Sequence, residues 1–385
     1  MTGESIVCFS KDWDGHPTSN TNVMRVLART NRVLWLESIA MRTPRPASSR
    51  DLRRMLRRLS AAARGPRQVE TNLWVASPLV LPLPHAAWAA ALNRRLLRRA
   101  VTRWSRRLGM ERMQVWTFLP TAGDHARALG GRPLVYSCVD DWAHSPDHDG
   151  ARVAEDEERL CRAADVVFAT SRALAAEKRR WNVRTVHAPH GVDHAHFARA
   201  LDADTPVAPE VAGLRAPVLA VVGLLDWRLD TMLLGALADR RPDWSLALVG
   251  PAHADLRALA ARPNVHLLGR VPHARLPGVL KGCALGLVPF VASEYTRRIE
   301  PVKLREYLAA GLPVVATELP EVAAVDPSCR IARGVDELVG AVEAALREDP
   351  AARARRSAAM AAHTWEARVE ALGAHLVRLG TQEAA

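Results

Sequence analysis

Apolar residues along this 385-residue chain fall into short runs, separated by segments in which they recur every three or four positions. Runs of four to six residues rich in Val, Ile, Leu and Phe read as buried strands. In the first half they cover Ser5–Ser10, Arg32–Glu37, Leu73–Ala76, Gln114–Phe118, Leu134–Cys138, Val166–Thr170 and Arg184–Ala188. Helical periodicity fills most gaps, for example Asn22–Ala28 and Glu155–Ala163. A polar stretch holding Asp202, Asp204, Pro206 and Pro209 interrupts the alternation. It restarts with strands at Val218–Val222, Ser245–Val249, Val265–Leu268, Ala284–Val288, Val314–Thr317 and Arg330–Ala332, and the tail from Val335 is helical. Strands separated by helices imply parallel sheets covered on both faces. The pattern predicts an α/β chain with two doubly wound domains, residues 1–198 and 217–362. A linker over 199–216 and a closing segment, 363–385, complete it. Such domains bind ligands outside the carboxyl ends of their strands.

Composition adds limits. Apolar content is 49%, enough for a core in each domain. Five scattered cysteines without a CxxC spacing predict neither a disulfide framework nor a zinc site, and a reducing cytoplasm fits them. The N-terminus lacks the basic-then-apolar pattern of a signal peptide. The uncharged stretch Leu73–Leu92 contains Pro78, Pro82 and Pro84, which break a spanning helix.

The net charge of +12 has an address: 17 arginines against three acids between Arg42 and Arg112. Two amphipathic helices are expected there. One has Leu52, Met55, Leu56 and Leu59 as its apolar face, with Arg50, Arg53, Arg54, Arg57 and Arg58 around it. The other has Leu97, Val101, Trp104 and Leu108. Basic amphipathic helices suit an anionic membrane surface; surface helices docked on a sheet would read the same. Without a recognition module, the charge does not predict nucleic-acid binding.

The most informative segment is Glu300 to Glu321, E-P-V-K-L-R-E-Y-L-A-A-G-L-P-V-V-A-T-E-L-P-E. It predicts a short helix with Glu300 as N-cap and Pro301 in the first position. Gly311 is the left-handed stop, and a buried strand follows. Open amides of a first turn attract anions. Lys303 sits in that turn with Glu306 one turn on, a cation and a carboxylate suited to a diphosphate and a ribose diol. This segment resembles the nucleotide-binding helix of GT-B, GT4-like (group 1) glycosyltransferases, notably the teichuronic acid set. Other segments follow the family's order: Lys11-Asp12-Trp13-Asp14-Gly15-His16, Tyr136-Ser-Cys-Val-Asp140-Asp141, Ala188-Pro-His-Gly-Val-Asp193 and Asn264-Val-His-Leu-Leu268-Gly269-Arg-Val271.

The resemblance implies a GT-B fold, two Rossmann-like domains facing a crevice, and sugar transfer from a nucleoside-diphosphate donor to a hydroxyl acceptor. Glu306 would hold ribose. Lys303, Gly223 and Arg228 would hold the diphosphate, with an Arg228–Asp230 surface pair as the alternative. Leu268, Gly269 and Val271 would meet the base through main-chain groups. Glu300 would meet the donor sugar, unless it pairs with Arg297 or Arg298. Asp140 and Asp141 would serve the reacting centre, and Asp12, Trp13, Asp14 and His16 would face the acceptor. The chain departs from the family at Arg298, where the paired-glutamate version has its first glutamate, and at Thr18-Ser-Asn-Thr21, where a Gln-Arg-Pro-type stretch is common. No metal and no cofactor are expected, because the helix N-terminus and the cations can stabilise the leaving group. The resemblance also implies envelope or exopolysaccharide glycan assembly and retention of configuration, while the cysteines and the basic helices add the expectation of a cytoplasmic protein, peripheral on the inner membrane face, with a lipid-linked acceptor. Natural-product glycosylation, nucleotide-sugar 2-epimerisation and a non-catalytic membrane scaffold are the alternatives.

Overall fold

The computed structural model describes residues 1–15, 17–37, 62, 64–81 and 86–383. They form two compact units, Met1–Pro189 with Arg368–Ala385, and His190–Ala367.

In the first unit the strands are β1 (Ser5–Phe9), β2 (Arg32–Leu36), β3 (Arg67–Glu70), β4 (Leu73–Ala76), β5 (Gln114–Thr117), β6 (Leu134–Cys138), β7 (Val166–Ala169) and β8 (Thr185–His187). They form one sheet in the order β3-β4-β2-β1-β5-β6-β7-β8. Every neighbouring pair is parallel except β3 with β4. β3 was not legible in the sequence: Arg-Gln-Val-Glu has one apolar residue, and it pairs at an edge where one is enough. The order reverses between β1 and β5, so the loop Lys11–Gly15 leaves β1 at a topological switch point.

The helix Ala87–Arg107 shows what its apolar stripe is for. Leu97, Val101 and Trp104 are buried in one cluster with Val7, Leu34 and Val115 of the sheet. That stripe, read as a membrane-facing candidate, is therefore core; the docked-helix reading holds on this face. The expected helix around Leu52–Leu59, with Arg53, Arg54, Arg57 and Arg58, lies outside the described residues, as does His16.

In the second unit the strands are β9 (Val218–Val222), β10 (Ser245–Val249), β11 (Val265–Gly269), β12 (Leu285–Val288), β13 (Val314–Thr317) and β14 (Arg330–Ala332). The order is β11-β10-β9-β12-β13-β14, parallel throughout. This is the dinucleotide-fold order, with its switch point between β9 and β12.

The stretch expected as a linker is built into this unit. Ala200, Ala208 and Val211 belong to its core, and Ala208 N–H donates to the Gly278 carbonyl at 3.0 Å. The unit begins earlier, at His190, because the chain locks there. A Cβ on Gly191 would lie 2.8 Å from the Trp365 backbone, and the Val192 N–H donates to the His363 carbonyl at 3.0 Å. His194 Nε2 lies 2.9 Å from the Ser357 carbonyl oxygen. The helix Trp365–Glu383 then begins in the second unit and continues in the first.

Candidate functional site

At the switch point of the second sheet, three glycines close the carboxyl ends of adjacent strands. Gly223, Gly250 and Gly269 have φ values of 139°, 144° and 66°. All three lie in the region that favours glycine. Gly223 and Gly250 meet back to back: a Cβ on Gly250 would fall 1.7 Å from the Gly223 oxygen. Gly223 N–H donates to Val249 O (2.9 Å), and Gly250 N–H to Gly269 O (2.8 Å).

The helix Val302–Ala309 is brought to this point by one side chain. Tyr307 packs against β12, where a Cβ on Gly286 would come within 2.4 Å of its ring. Its hydroxyl accepts from the Val222 N–H at 2.7 Å. The helix is thereby pinned to the last residue of β9, and Lys303, one turn before Tyr307, lies over Gly223 with its Cε 3.6 Å from where a Cβ would be. Lys303 Nζ bonds Glu306 Oε2 at 2.6 Å, a part-buried pair. Gly223, Lys303 and Glu306, which are 83 residues apart at the extremes, are thus assembled at one place.

The helix boundary differs from the expectation by one residue. Pro301, with φ −69° and ψ 116°, is the N-cap, and no side chain caps the helix. Its stop is as expected: Gly311 has φ 77°, Leu312 N–H bonds Tyr307 O, and Gly311 N–H bonds Leu308 O.

Glu300 is buried, and Arg305 Nε donates to it. It is thus tied to the helix that follows it. Arg228 has a partner two residues back. Its guanidinium grips Asp226 with Nε at 2.9 Å and Nη2 at 2.8 Å, 5.6 Å from the Phe290 ring centre. Asp230 caps the helix Thr231–Arg240. Leu268 and Val271 pack on the core beside Gly269.

Two histidines join this place without having been singled out for it. His196 and His273 stack with ring centres 4.3 Å apart and 14° between planes. Loss of solvent contact and the His196 ring lower the His273 pKa below the usual 6.5, Glu306 opposes this and Lys303 adds to it. The available signal was His273 two residues beyond Val271, in the turn already assigned to the base.

In the first unit, Asp140 and Asp141 follow β6. Asp141 is 1% exposed, and its Oδ2 lies 2.8 Å from Nδ1 of His144, which is 41% exposed. A buried carboxylate thus orients an exposed imidazole; the i, i+3 spacing was the signal. Asp140 is half-buried beside it. Beneath this turn lies a buried group: Glu157 accepts from Lys178 Nζ at 2.9 Å and from the Tyr136 hydroxyl. Near β1, Trp13 meets Trp35 edge-on at 5.0 Å, Arg25 lies over its ring, and Asp14 pairs with Arg67 of β3 at 2.7 Å. Asp12 is exposed. The helix that follows has Thr18 at its N-cap, and the Thr18 N–H donates to Thr21 Oγ1 at 3.4 Å.

Among the described residues no group of three or more His, Cys, Asp or Glu is arranged to hold a metal, and no helix is long and apolar enough to cross a membrane.

Two Rossmann-like units in one chain, with the cation–carboxylate helix at the second switch point, define the GT-B glycosyltransferase fold. Solved structures carry the same architecture over nearly the whole chain. Sucrose-phosphate synthase from Thermosynechococcus elongatus superposes with a TM-score of 0.69 at 17% identity, covering 98% of this chain and 100% of that one. A trehalose-6-phosphate structure from E. coli, bound with UDP-2-fluoro glucose, gives 0.68 at 14%, covering 97% and 99%. An Anabaena protein, HepE, in complex with UDP and glucose, gives 0.60 at 16%, covering 99% and 98%. Residues 216–348 match the family model of glycosyl transferases group 1, so the second unit carries that family's signature. A Bacillus subtilis (strain 168) protein assigned to teichuronic acid biosynthesis as a glycosyltransferase is 28% identical over 229 residues, 54% of this chain and 56% of the relative. The match spans little more than half the length of that curated relative.

Proposed function

We propose that this protein transfers a sugar from a nucleoside-diphosphate donor to a hydroxyl acceptor. The observation that carries the reading is the Lys303–Glu306 pair, held over Gly223 by Tyr307 at the switch point of the second sheet. Lys303 and the first turn of its helix attract the diphosphate. Glu306 gives up its bond to Lys303 in favour of the ribose diol, while the ammonium turns to phosphate. Backbone groups around Gly269 meet the base. As the leaving diphosphate gains charge, the same cation stabilises it, so the leaving group needs no proton, and the proton of the acceptor hydroxyl is released as the new glycosidic bond forms.

UDP is the first donor base to test, since two of the structural neighbours hold it. Asp140 is the carboxylate assigned to the reacting centre, with retention of configuration. The acceptor reading is a lipid-linked envelope glycan at the inner membrane face, supported by the Bacillus subtilis relative and by the arginine-rich first unit.

Thermal unfolding in the presence of UDP, GDP, dTDP and their sugars tests this. A ligand at about 100 times its Kd adds about 2.7 kcal/mol of stability, which raises Tm by a few degrees. A shift with one nucleoside diphosphate, lost in Lys303→Ala, supports the reading. No shift with any member of the panel overturns it.

A further inference from the structure

A cavity of about 680 Å³ opens on the second unit, lined by the segment Asp326–Arg330, by Glu348 and by Ala352, Arg355 and Arg356. Arg330 is the first residue of β14, so the cavity lies at the amino edge of this parallel sheet. Gly223 follows the last residue of β9, at the carboxyl edge. The cavity is therefore separate from the nucleotide site, and its volume is in the range of small-molecule sites.

Charge and hydrogen-bonding groups on its wall indicate the ligand. Three guanidinium groups meet two carboxylates there. Glu348 is shared: Oε1 accepts from Arg330 Nη1 at 2.7 Å and Oε2 from Arg356 Nη2 at 2.5 Å. One carboxylate thus orients two planar forks before any ligand arrives. Arg355 meets Asp349 at 3.4 Å, a pair that is mostly exposed and so worth little. Asp326 Oδ1 accepts the Ser328 N–H at 2.8 Å, which ties that segment into a turn. The wall keeps one positive charge in excess, with a carboxylate and a hydroxyl beside it. Guanidinium forks suit a phosphate monoester. Asp326 and the Ser328 hydroxyl suit the hydroxyl groups on the carbon skeleton that carries the phosphate.

The same wall is joined to the donor helix. Arg356 Nη1 donates to the Gly311 carbonyl at 2.9 Å, and Ser357 Oγ donates to the Ala309 carbonyl at 2.6 Å. Both acceptors stand at the C-terminal end of the helix Val302–Ala309, which carries Lys303 and Glu306. A Cβ on Gly311 would lie 2.9 Å from the Arg353 carbonyl oxygen, so the helix Ala351–Met360 is seated closely on that end. Arg356 divides its guanidinium between the cavity wall and the donor helix.

We propose that this cavity is an effector site for a small hydroxylated phosphate monoester. Arg330 and Arg355 take the phosphate, and Asp326 takes the hydroxyls. A ligand held by Arg330 of the strand and Arg355 of the helix clamps Ala351–Met360 to the sheet and, through Arg356 and Ser357, fixes the end of the donor helix. Nucleotide then meets a helix already held, so each ligand favours the other by the same factor. The coupling rests on the reading of Lys303 and Glu306 as the nucleotide site; binding in the cavity does not.

The experiment is thermal unfolding and calorimetric titration of the full chain with glycerol 3-phosphate and ribose 5-phosphate, against glycerol and ribose, at constant ionic strength. A saturable rise in Tm is expected with a monoester and not with glycerol or ribose. Arg355→Gln, at an exposed position, should weaken binding about tenfold, the worth of one charge-assisted hydrogen bond. Arg330→Gln with Arg355→Gln should abolish it, and Lys303→Ala should leave it intact. A saturating monoester should raise affinity for whichever nucleoside diphosphate stabilises the chain by about fivefold, and the double variant should lose that rise. No saturable shift with either monoester overturns the proposal. So does a shift that the double variant keeps, or one lost in Lys303→Ala, which would put the anion in the nucleotide site. Nucleotide affinity that ignores a bound monoester overturns the coupling. Monoester binding without any nucleotide stabilisation would remove the transferase reading and leave the cavity site standing.

Discussion

Single residues decide the nucleotide site, and they can be separated by ligand. Glu306→Gln should weaken nucleoside-diphosphate binding by about 1.5–3 kcal/mol, the worth of a charge-assisted hydrogen bond. Calorimetric titration gives the value, and unchanged affinity would take Glu306 off the ribose. Lys303→Ala should cost affinity for the diphosphate far more than for the free nucleoside; equal losses would indicate a structural role. Asp140→Asn should cut turnover while nucleotide affinity stays near normal. Asp141→Asn is the comparison, because its carboxylate is committed to His144. If neither variant slows turnover tenfold, about 1.4 kcal/mol of barrier, the reacting centre lies elsewhere. Gly250 supplies a residue that sequence reading passed over. Ala at this position has no room beside the Gly223 oxygen and an unfavourable φ. Gly250→Ala should therefore displace the Gly223 turn and weaken nucleotide binding without touching any ligand-facing side chain. Normal binding by this variant would show that the turn tolerates the shift.

At the scale of elements, the Glu157–Lys178 pair joins the helices Gly150–Ala163 and Arg172–Lys178 under the Asp140–Asp141 turn. Both side chains are 1% exposed. Removing one partner strands a buried charge, so Lys178→Met should cost about 3–5 kcal/mol. Adding Glu157→Gln should recover much of it, since the neutral amide removes the stranded charge and its oxygen still accepts from the Tyr136 hydroxyl. Denaturant unfolding of the two variants checks the difference; a double variant as unstable as the single one would mean that packing, and not charge, dominates there. The donor helix Val302–Ala309 makes the contrasting case. Its placement depends on an apolar ring with one polar tip, Tyr307, which fills the space left by Gly286 and satisfies the Val222 N–H.

Across the whole molecule, acid should weaken the fold. His125, His273 and His375 have pKa values lowered from 6.5, in each case chiefly by loss of solvent contact. A lowered folded-state value means that the folded chain binds fewer protons than the unfolded chain near and below pH 6.5. Stability from these groups is thus present above that pH and is lost as pH falls through it. Tm should drop between about pH 7.5 and pH 5.5, and His125→Gln should flatten the drop. A Tm that rises on acidification would contradict the sign.

The sequence by itself determined the thirteen long-range-parallel strands it named, because each is a short apolar run between turn residues, and period alone reports burial on both faces. It also determined the Gly311 stop and the Lys303–Glu306 spacing, which are local. What it could not supply were contacts that depend on the partner reached through space. That Glu300 meets Arg305 and Arg228 meets Asp226 is visible only in space, since several arginines and aspartates have equal merit in the sequence. The edge strand Arg67–Glu70 took its place by pairing and not by hydrophobicity. Residues 199–216 looked like a linker by composition, yet three small apolar side chains among them sufficed to seat the stretch on the second core. The helix Ala87–Arg107 is the clearest instance. Its period showed two faces, but only the sheet, by burying Leu97, Val101 and Trp104, decided which of them was left to the solvent.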